Sequence, residues 1–197
     1  MSSSSTSSKI RPPFTLKVAE TKDEIEACYD IRIEVFSVEQ GFPLETEIDE
    51  YDPISIHFLL SISIPSPPLE QSINSTSSSS SSSSITNNKQ TTEKPIGTIR
   101  YVPKTSKLSR LAIDKEFRKF GFGKILVEGM HNWIKSNYLS NNLNIIKTND
   151  GKKFIKIKCH SQIPVIPFYE KLGYISEGQE FDEEGAPHQL MIHEVEI

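Results

Sequence analysis

Between Leu108 and Val127 the chain runs from an apolar, strand-like stretch through a charged linker into a basic turn with two glycines, and then into an amphipathic segment. A strand that feeds a helix through a tight turn commits the chain to a layered α/β arrangement, because the helix must fold back on the sheet that the strand joins. Leu108 to Ile113 supplies the strand and Asp114-Lys115-Glu116 the linker. Leu126, Met130, Trp133 and Ile134 recur at helical spacing and predict one apolar face packed on a sheet. The turn itself, Arg118-Lys119-Phe120-Gly121-Phe122-Gly123, offers two cations and a run of backbone N–H groups at a helix N-terminus, where the dipole and the unsatisfied donors favour an anion. Gly121 and Gly123 lack a Cβ, so a ligand can approach the main chain closely. Spacing excludes two other phosphate loops. Gly123 is followed by Lys124-Ile125, without the hydroxyl of a Gly-x-x-x-x-Gly-Lys-Ser/Thr loop, and a dinucleotide fingerprint needs a third glycine.

The flanking segments add further elements. Thr21-Lys22-Asp23-Glu24 is a capping box, and Ile25, Cys28, Tyr29, Ile31, Val35 and Phe36 give the helix it starts an apolar face. Strands are predicted at Ser55 to Ile62 and Ile96 to Val102, on either side of a serine-rich stretch over about 65–94. The simplest account is a hairpin whose turn carries a long low-complexity insertion, since loop-closure entropy grows slowly with length. Residues 1–12 read as a disordered tail, and 13–197 as one domain. Ser140 to Lys153 contains Asn149-Asp150-Gly151 and reads as a loop or an added hairpin. Phe154 to His160 alternates Ile155, Ile157 and Cys159 against Lys156, Lys158 and His160, as a strand with one buried face does. A short helix at Pro167 to Gly173 and closing strands at Tyr174-Ile175 and Gln189 to Val195 complete an α/β sheet of mixed direction.

Composition narrows the function classes. The 197 residues are 36% hydrophobic and 24% charged with a formal net charge of −4, and no basic block is long enough to serve as a nucleic-acid footprint. No apolar run is long enough to span a bilayer, and Met1 to Ile10 lacks the apolar core of a secretory signal. A cytoplasmic location is expected, with the nucleus open. Cys28 and Cys159 lie within apolar patterns and read as small core residues of a reducing compartment.

These motifs together resemble the GNAT acyl-CoA N-acyltransferase superfamily. Leu111-Ala112-Ile113 is similar to that family's splayed strand end, Arg118 to Lys124 to its Arg/Gln-x-x-Gly-x-Gly/Ala pyrophosphate loop, and Phe168-Tyr169-Glu170-Lys171-Leu172-Gly173-Tyr174 to its later Phe-Tyr-x-x-x-Gly-Phe/Tyr signature. Arg32 to Phe36, Glu39-Gln40, Glu47 to Asp52, His57-Phe58, Cys159 to Gln162 and Glu183 to His188 resemble the ElaA/YjcF-type branch. The resemblance implies a mixed, mostly antiparallel central sheet flanked by helices, with acetyl-CoA as acyl donor and no metal. It implies transfer to a primary amine of a small molecule, such as an amino sugar or polyamine, by direct attack in a ternary complex, in a monomer or homodimer. A protein or peptide acceptor, and a catalytically weak interaction module of the same fold, stay open. Cofactor contacts are expected from Leu111, Ala112 and Ile113, whose backbone N–H would polarise the thioester, from Arg118, Lys119, Phe120, Gly121, Phe122, Gly123 and Lys124, and from His160 and Phe168. Tyr169 takes the position of the acid for the departing thiolate.

An ammonium acceptor must lose a proton before it attacks, so a base is required. Glu39, His57, Glu184 and His188 are the candidates, and a carboxylate near His188 would tune it towards neutral pH. Arg32, among apolar helix positions, calls for a carboxylate partner, with Glu39, Asp49 and Asp52 in reach. The acidic run Glu45 to Asp52 reads as a solvated loop able to attract a cationic amine.

Overall fold

The structure, a computed structural model, describes residues 10–65, 91–140 and 143–197. The expected tail over 1–9 and the serine-rich stretch over 66–90 lie outside the described residues. The strands are β1 (Phe14–Val18), β2 (Ile56–Pro65), β3 (Thr91–Val102), β4 (Lys107–Ile113), β5 (Ile145–Lys147), β6 (Lys153–Gln162), β7 (Ile175–Glu183) and β8 (Ala186–Glu196). The helices are α1 (Lys22–Arg32), α2 (Phe122–Asn137) and α3 (Ile166–Glu170). The sheet order is β1-β2-β3-β4-β6-β8-β7, with β5 on β6, and every pairing is antiparallel except β4 with β6. This is the mixed, mostly antiparallel sheet flanked by helices that the sequence led us to expect.

Local chemistry accounts for most boundaries. Thr21 accepts from the Glu24 N–H while the Glu24 side chain bonds back to Thr21, so α1 begins at a complete capping box. Its C-terminal end runs into a π-helical turn over Ile33–Glu39, and Phe42 N–H bonds back to Phe36. The long hairpin β2–β3 pairs Ile56 with Tyr101 at one end and Pro65 with Thr91 at the other. Its register shifts beside Leu60/Ser61, where Pro95 has no N–H to give to the ladder. The strands therefore take in Pro65 and Thr91 to Lys94, which the sequence reading assigned to the insertion. Gly151 takes φ +86 in the turn that joins β5 to β6, so the Asn-Asp-Gly segment is the added hairpin. Strand β1 was not expected from the sequence.

Helices cover both faces of the sheet. Phe58, Leu60 and Ile62 point to the face covered by α2, whose Leu126, Val127, Met130 and Ile134 are wholly buried. Leu59, between them, points to the other face and packs with Cys28 and Ile31 of α1, with Val35 of the π-helical turn and with Ala112. A Cβ on Gly129 would come within 2.3 Å of Leu16, so the backbone of α2 approaches β1 more closely than any side chain allows. Burial pushes the thiol of Cys28 up to about 11 and that of Cys159 up to about 12, which makes both inert core residues.

One polar feature sits within this packing. His131 of α2 stacks on His193 of β8 at 4.7 Å and shares a 2.9 Å hydrogen bond with the Tyr174 hydroxyl. Burial, helped by the neighbouring His193 and Lys135, pushes His131 down to about 3. Between that value and its ordinary 6.5, the unfolded chain binds a proton that the folded chain does not. This contribution to stability is complete above pH 6.5 and is lost as pH falls towards 3. We expect the stability difference between wild type and His131→Gln to fall by about 3 kcal/mol from pH 6.5 to pH 4. Urea unfolding at the two pH values reads this, and a pH-independent difference would contradict it.

Candidate active site

The sheet opens in its middle. Strands β4 and β6 pair in parallel at Lys107 and Lys158, where the Lys158 N–H bonds to Ser106, and beyond that point they part. A bulge opposite Thr98–Arg100 of β3 adds the divergence, with Arg110 at φ +53. Asp114 N–H bonds to Ile96 of β3. Because successive N–H groups of a strand alternate between its edges, the N–H of Ile113 points the other way, to the open edge. Leu111 faces the gap, while the Ala112 side chain is buried against α1.

The basic turn follows β4 in the chain, and none of Arg118 to Lys124 lines the cavity in this opening. Lys119 and Gly121 both take positive φ, 70° and 80°, and Gly121 caps α2 with no side-chain bond to its first N–H groups. A Cβ on Gly123 would touch the Phe168 ring at 3.3 Å, so the ring of α3 lies against the glycine backbone. Phe122 is buried, and Lys124 pairs with Glu128 along the helix. Arg118 faces inward. It donates to the Ile113 carbonyl at 3.0 Å and forms a two-pronged ion pair with Glu39 at 2.5 and 2.6 Å. Its role is thus to tie the turn to β4 and to the π-helical segment. Arg11, in a segment expected to be tail, donates to the Phe120 carbonyl at 2.7 Å and lies over the Phe122 ring.

A cavity of about 670 Å³ occupies the gap between β4 and β6. Tyr169, His160, His188 and Glu184 all line it. Tyr169 is held edge-to-face by Phe168 and Tyr174 at 5.1 and 5.3 Å, and burial raises its phenol far above the usual value, so it carries its proton at every working pH. His188 donates from Nδ1 to the Ala186 carbonyl, which leaves the lone pair on Nε2. Glu184 sits at φ +56 in the β7–β8 turn.

Two of the expected bases are elsewhere. Glu39 does not line the cavity, and Arg118 holds its carboxyl below the usual range, so it is committed as a carboxylate to an ion pair. His57 is buried outside the cavity, donates from Nε2 to the Asp52 carbonyl at 3.0 Å, and is pushed down by burial. In their place the structure brings in Lys107 and Arg110, which the sequence reading passed over, and Glu183, which it quoted in a family motif without giving it a role. No local spacing joins Lys107 to His160 and Glu183, since each stands on a different strand.

The acidic run is not a solvated loop. Asp52 accepts from Arg32 at 2.7 and 3.2 Å and from Arg100 at 2.8 Å, and Asp49 takes the other prong of Arg100 at 2.6 and 2.9 Å. Burial favours the protonated form of Asp52, but the Asp49 N–H and the Arg32 guanidinium outweigh it and hold the carboxyl below its usual value. Glu47 lies 1% exposed between Arg32 and Arg110 at 3.9 and 3.7 Å, with its carboxyl pushed up by burial. This cluster fixes the loop that forms the outer wall of the cavity. No group of three or more His, Cys, Asp or Glu side chains suited to a metal ion occurs among the described residues, and no helix there is long and apolar enough to cross a membrane.

Comparison with known proteins places this geometry among relatives. The family model described as acetyltransferase (GNAT) domain matches residues 68–195. The Bacillus subtilis (strain 168) protein named "Putative acetyltransferase BSU40680" is 30% identical over 182 residues, which cover 90% of this chain and 95% of that protein. Among solved structures, Escherichia coli ElaA aligns with a TM-score of 0.61 at 15% identity over 91% of this chain and 98% of its own. An acyl-CoA N-acyltransferase from Pseudomonas aeruginosa aligns with 0.59 at 17% over 91% and 97%. At these identities the structures establish a shared fold.

The wall of the cavity depends on Asp52, whose removal leaves Arg32 and Arg100 buried without their shared counter-charge. Asp52→Asn is expected to destabilise the chain by about 3 kcal/mol, measured by urea unfolding at pH 7. A change below 0.5 kcal/mol would contradict the role given to the cluster.

Proposed function

Because this chain belongs to the GNAT acetyltransferase family, and is therefore an acyltransferase of a family that uses acyl-CoA as cosubstrate, we propose that it transfers an acetyl group from acetyl-CoA to the primary amine of a small molecule. The observation that carries the reading is the open edge of β4 facing a cavity, with β4 leading through a short linker to the glycine turn at the start of α2. The residues suit the donor. Unsatisfied N–H groups at the start of α2 suit a diphosphate, with the Arg11 guanidinium beside Gly121 as a further cation, and Lys119 makes no ion pair among the described residues. The Ile113 N–H at the open edge suits a thioester carbonyl, and Leu111 and Phe168 offer apolar surface to the pantetheine arm.

The bound thioester would supply an activated acetyl group. Ile113 N–H would hold the negative charge that develops on the carbonyl oxygen. Tyr169, kept protonated by burial, would give its proton to the departing thiolate, while a cavity base relieves the acceptor ammonium of its own. The cavity is of small-ligand size, and Glu50 and Glu184 on its wall, neither in an ion pair among the described residues, suit a cationic acceptor such as a polyamine or amino sugar. Transfer within one ternary complex is supported by the cysteines, both of which are buried with raised thiols and neither of which lines the cavity.

Calorimetric titration with acetyl-CoA tests the donor site. Gly121→Glu, which puts a carboxylate at a left-handed position on the turn, is expected to weaken binding at least 100-fold, on the order of 3 kcal/mol. An unchanged affinity would remove the turn from the site. Tyr169→Phe should lower kcat by roughly 10²-fold and leave acetyl-CoA affinity within a factor of about two. A wild-type kcat would end the acid assignment.

A further inference from the structure

Three side chains from three strands converge where β4 and β6 part. Lys107 is the β4 residue paired with β6, His160 stands two positions beyond that pairing on β6, and Glu183 ends β7. Nδ1 of His160 lies 3.0 Å from both carboxylate oxygens of Glu183 and 3.2 Å from Nζ of Lys107. One ring nitrogen cannot donate to the carboxylate and accept from the ammonium at the same time. Nζ also lies 3.7 Å from Glu183, so one proton arrangement satisfies all three groups. Nδ1 carries the hydrogen and donates it to Glu183, the ammonium sits beside the same carboxylate, and the lone pair is on Nε2. Phe181 packs edge-on against the imidazole at 4.9 Å and fixes its plane. Nε2 makes no hydrogen bond among the described residues, and His160 lines the same cavity as Tyr169.

We propose that His160, oriented by Glu183, is the general base that takes the proton from the acceptor ammonium. The assignment rests on the acyl-transfer reading above and gives the residue a different role from the cofactor contact expected of it. The ammonium proton passes to Nε2, and the imidazolium so formed is stabilised by Glu183. The freed amine lone pair forms the C–N bond, and the C–S bond breaks with its electron pair going to sulfur. Tyr169 protonates the sulfur and regains a proton from the acylated nitrogen, and His160 releases its proton to solvent. The sum is RNH₃⁺ plus acetyl-CoA giving the N-acetyl amine, CoA thiol and H⁺.

The alternatives in the cavity are less well equipped. His188 has only the neutral Ala186 carbonyl behind its ring, and Glu184 is an exposed carboxylate on a turn. The groups that line the cavity around the dyad are Lys107 and Arg110 of β4, Lys158 of β6, His188 of β8 and, in and after β7, Glu183 and Glu184. Glu183 is held down to about 2, chiefly by its bond to His160, so it stays a carboxylate throughout the working range.

Two measurements on the full chain test this. In ¹⁵N NMR at neutral pH, His160 should show a protonated Nδ1 and an unprotonated Nε2, and the opposite tautomer would overturn the proposal without any acceptor being known. In thiol-release assays with acetyl-CoA and a panel of polyamines and amino sugars, His160→Gln should lower kcat/KM by about 10²-fold or more and abolish its acid limb. Acetyl-CoA affinity by calorimetry should stay unchanged. Glu183→Gln should move the acid limb to lower pH, and His188→Gln should leave it in place. A wild-type limb in His160→Gln, or its loss in His188→Gln, overturns the assignment while leaving acyl transfer standing. Failure of the wild-type chain to bind acetyl-CoA would sink the acyl-transfer reading itself.

Discussion

Two neighbouring strands that share a pairing and then separate are the constraint on which this molecule turns. In a continuous sheet, β4 and β6 would satisfy each other's N–H and C=O groups along their whole length. Here the pairing stops at Lys107 and Lys158, and the outer N–H groups of β4 are left facing a cavity. Such a gap survives only if the strands are held apart by what surrounds them. The bulge at Arg110 bends β4 away, β8 anchors β6 along its full length from Phe154 to Gln162, and Arg118 grips the end of β4 through the Ile113 carbonyl. The donor edge is thus preorganised by covalent and sheet geometry, and in the proposed reaction no reorganisation would be needed to present it.

The buried arginine–carboxylate cluster does comparable work on the opposite wall. Taking Arg32, Arg100 and Asp52 out of water is costly, and a hydrophobic substitute of equal shape would give a chain at least as stable. What the charges provide is geometry. A two-pronged bond defines both distance and plane, and two of them, Arg32 on Asp52 and Arg100 on Asp49, converge on the short segment from Asp49 to Asp52. A segment with little regular structure becomes a rigid wall, and the apolar side chains Leu44, Ile48 and Ile54 are left exposed on its outer side.

The sequence disclosed what is decided by neighbours in the chain. The capping box of α1, the alternation of β6, the Asn-Asp-Gly hairpin and the glycine turn before α2 each depend on residues within a few positions of one another, and each was legible. The family resemblance added the splay at Leu111 to Ile113, which no local pattern encodes. Of the interactions between distant residues, the pairing of Arg32 with a carboxylate, Asp52, was foreseen, and others stayed hidden. Arg118 read as a cation for a ligand because its partner, Glu39, stands on a segment far back in the chain. The acidic run read as solvated because Arg100 lies on a strand beyond the serine-rich stretch. His160 and Tyr169 were picked out, but Glu183 and Lys107, which give His160 its orientation, look like ordinary surface charges until the strands are laid side by side. Strand β1 was missed although Phe14, Leu16 and Val18 alternate with Thr15 and Lys17, because the run is only five residues long and lies next to the stretch read as a tail.

The long hairpin has a practical corollary. Its two arms end together at Pro65 and Thr91, whereas the cavity begins near Arg100 and Val102, roughly 35 Å along β3 from that end. The closure cost of a loop grows only slowly with its length, so this junction can take added sequence while the register of the arms stays in place. For the experimenter it is a ready port, a place to graft a fluorophore or an affinity handle on the chain.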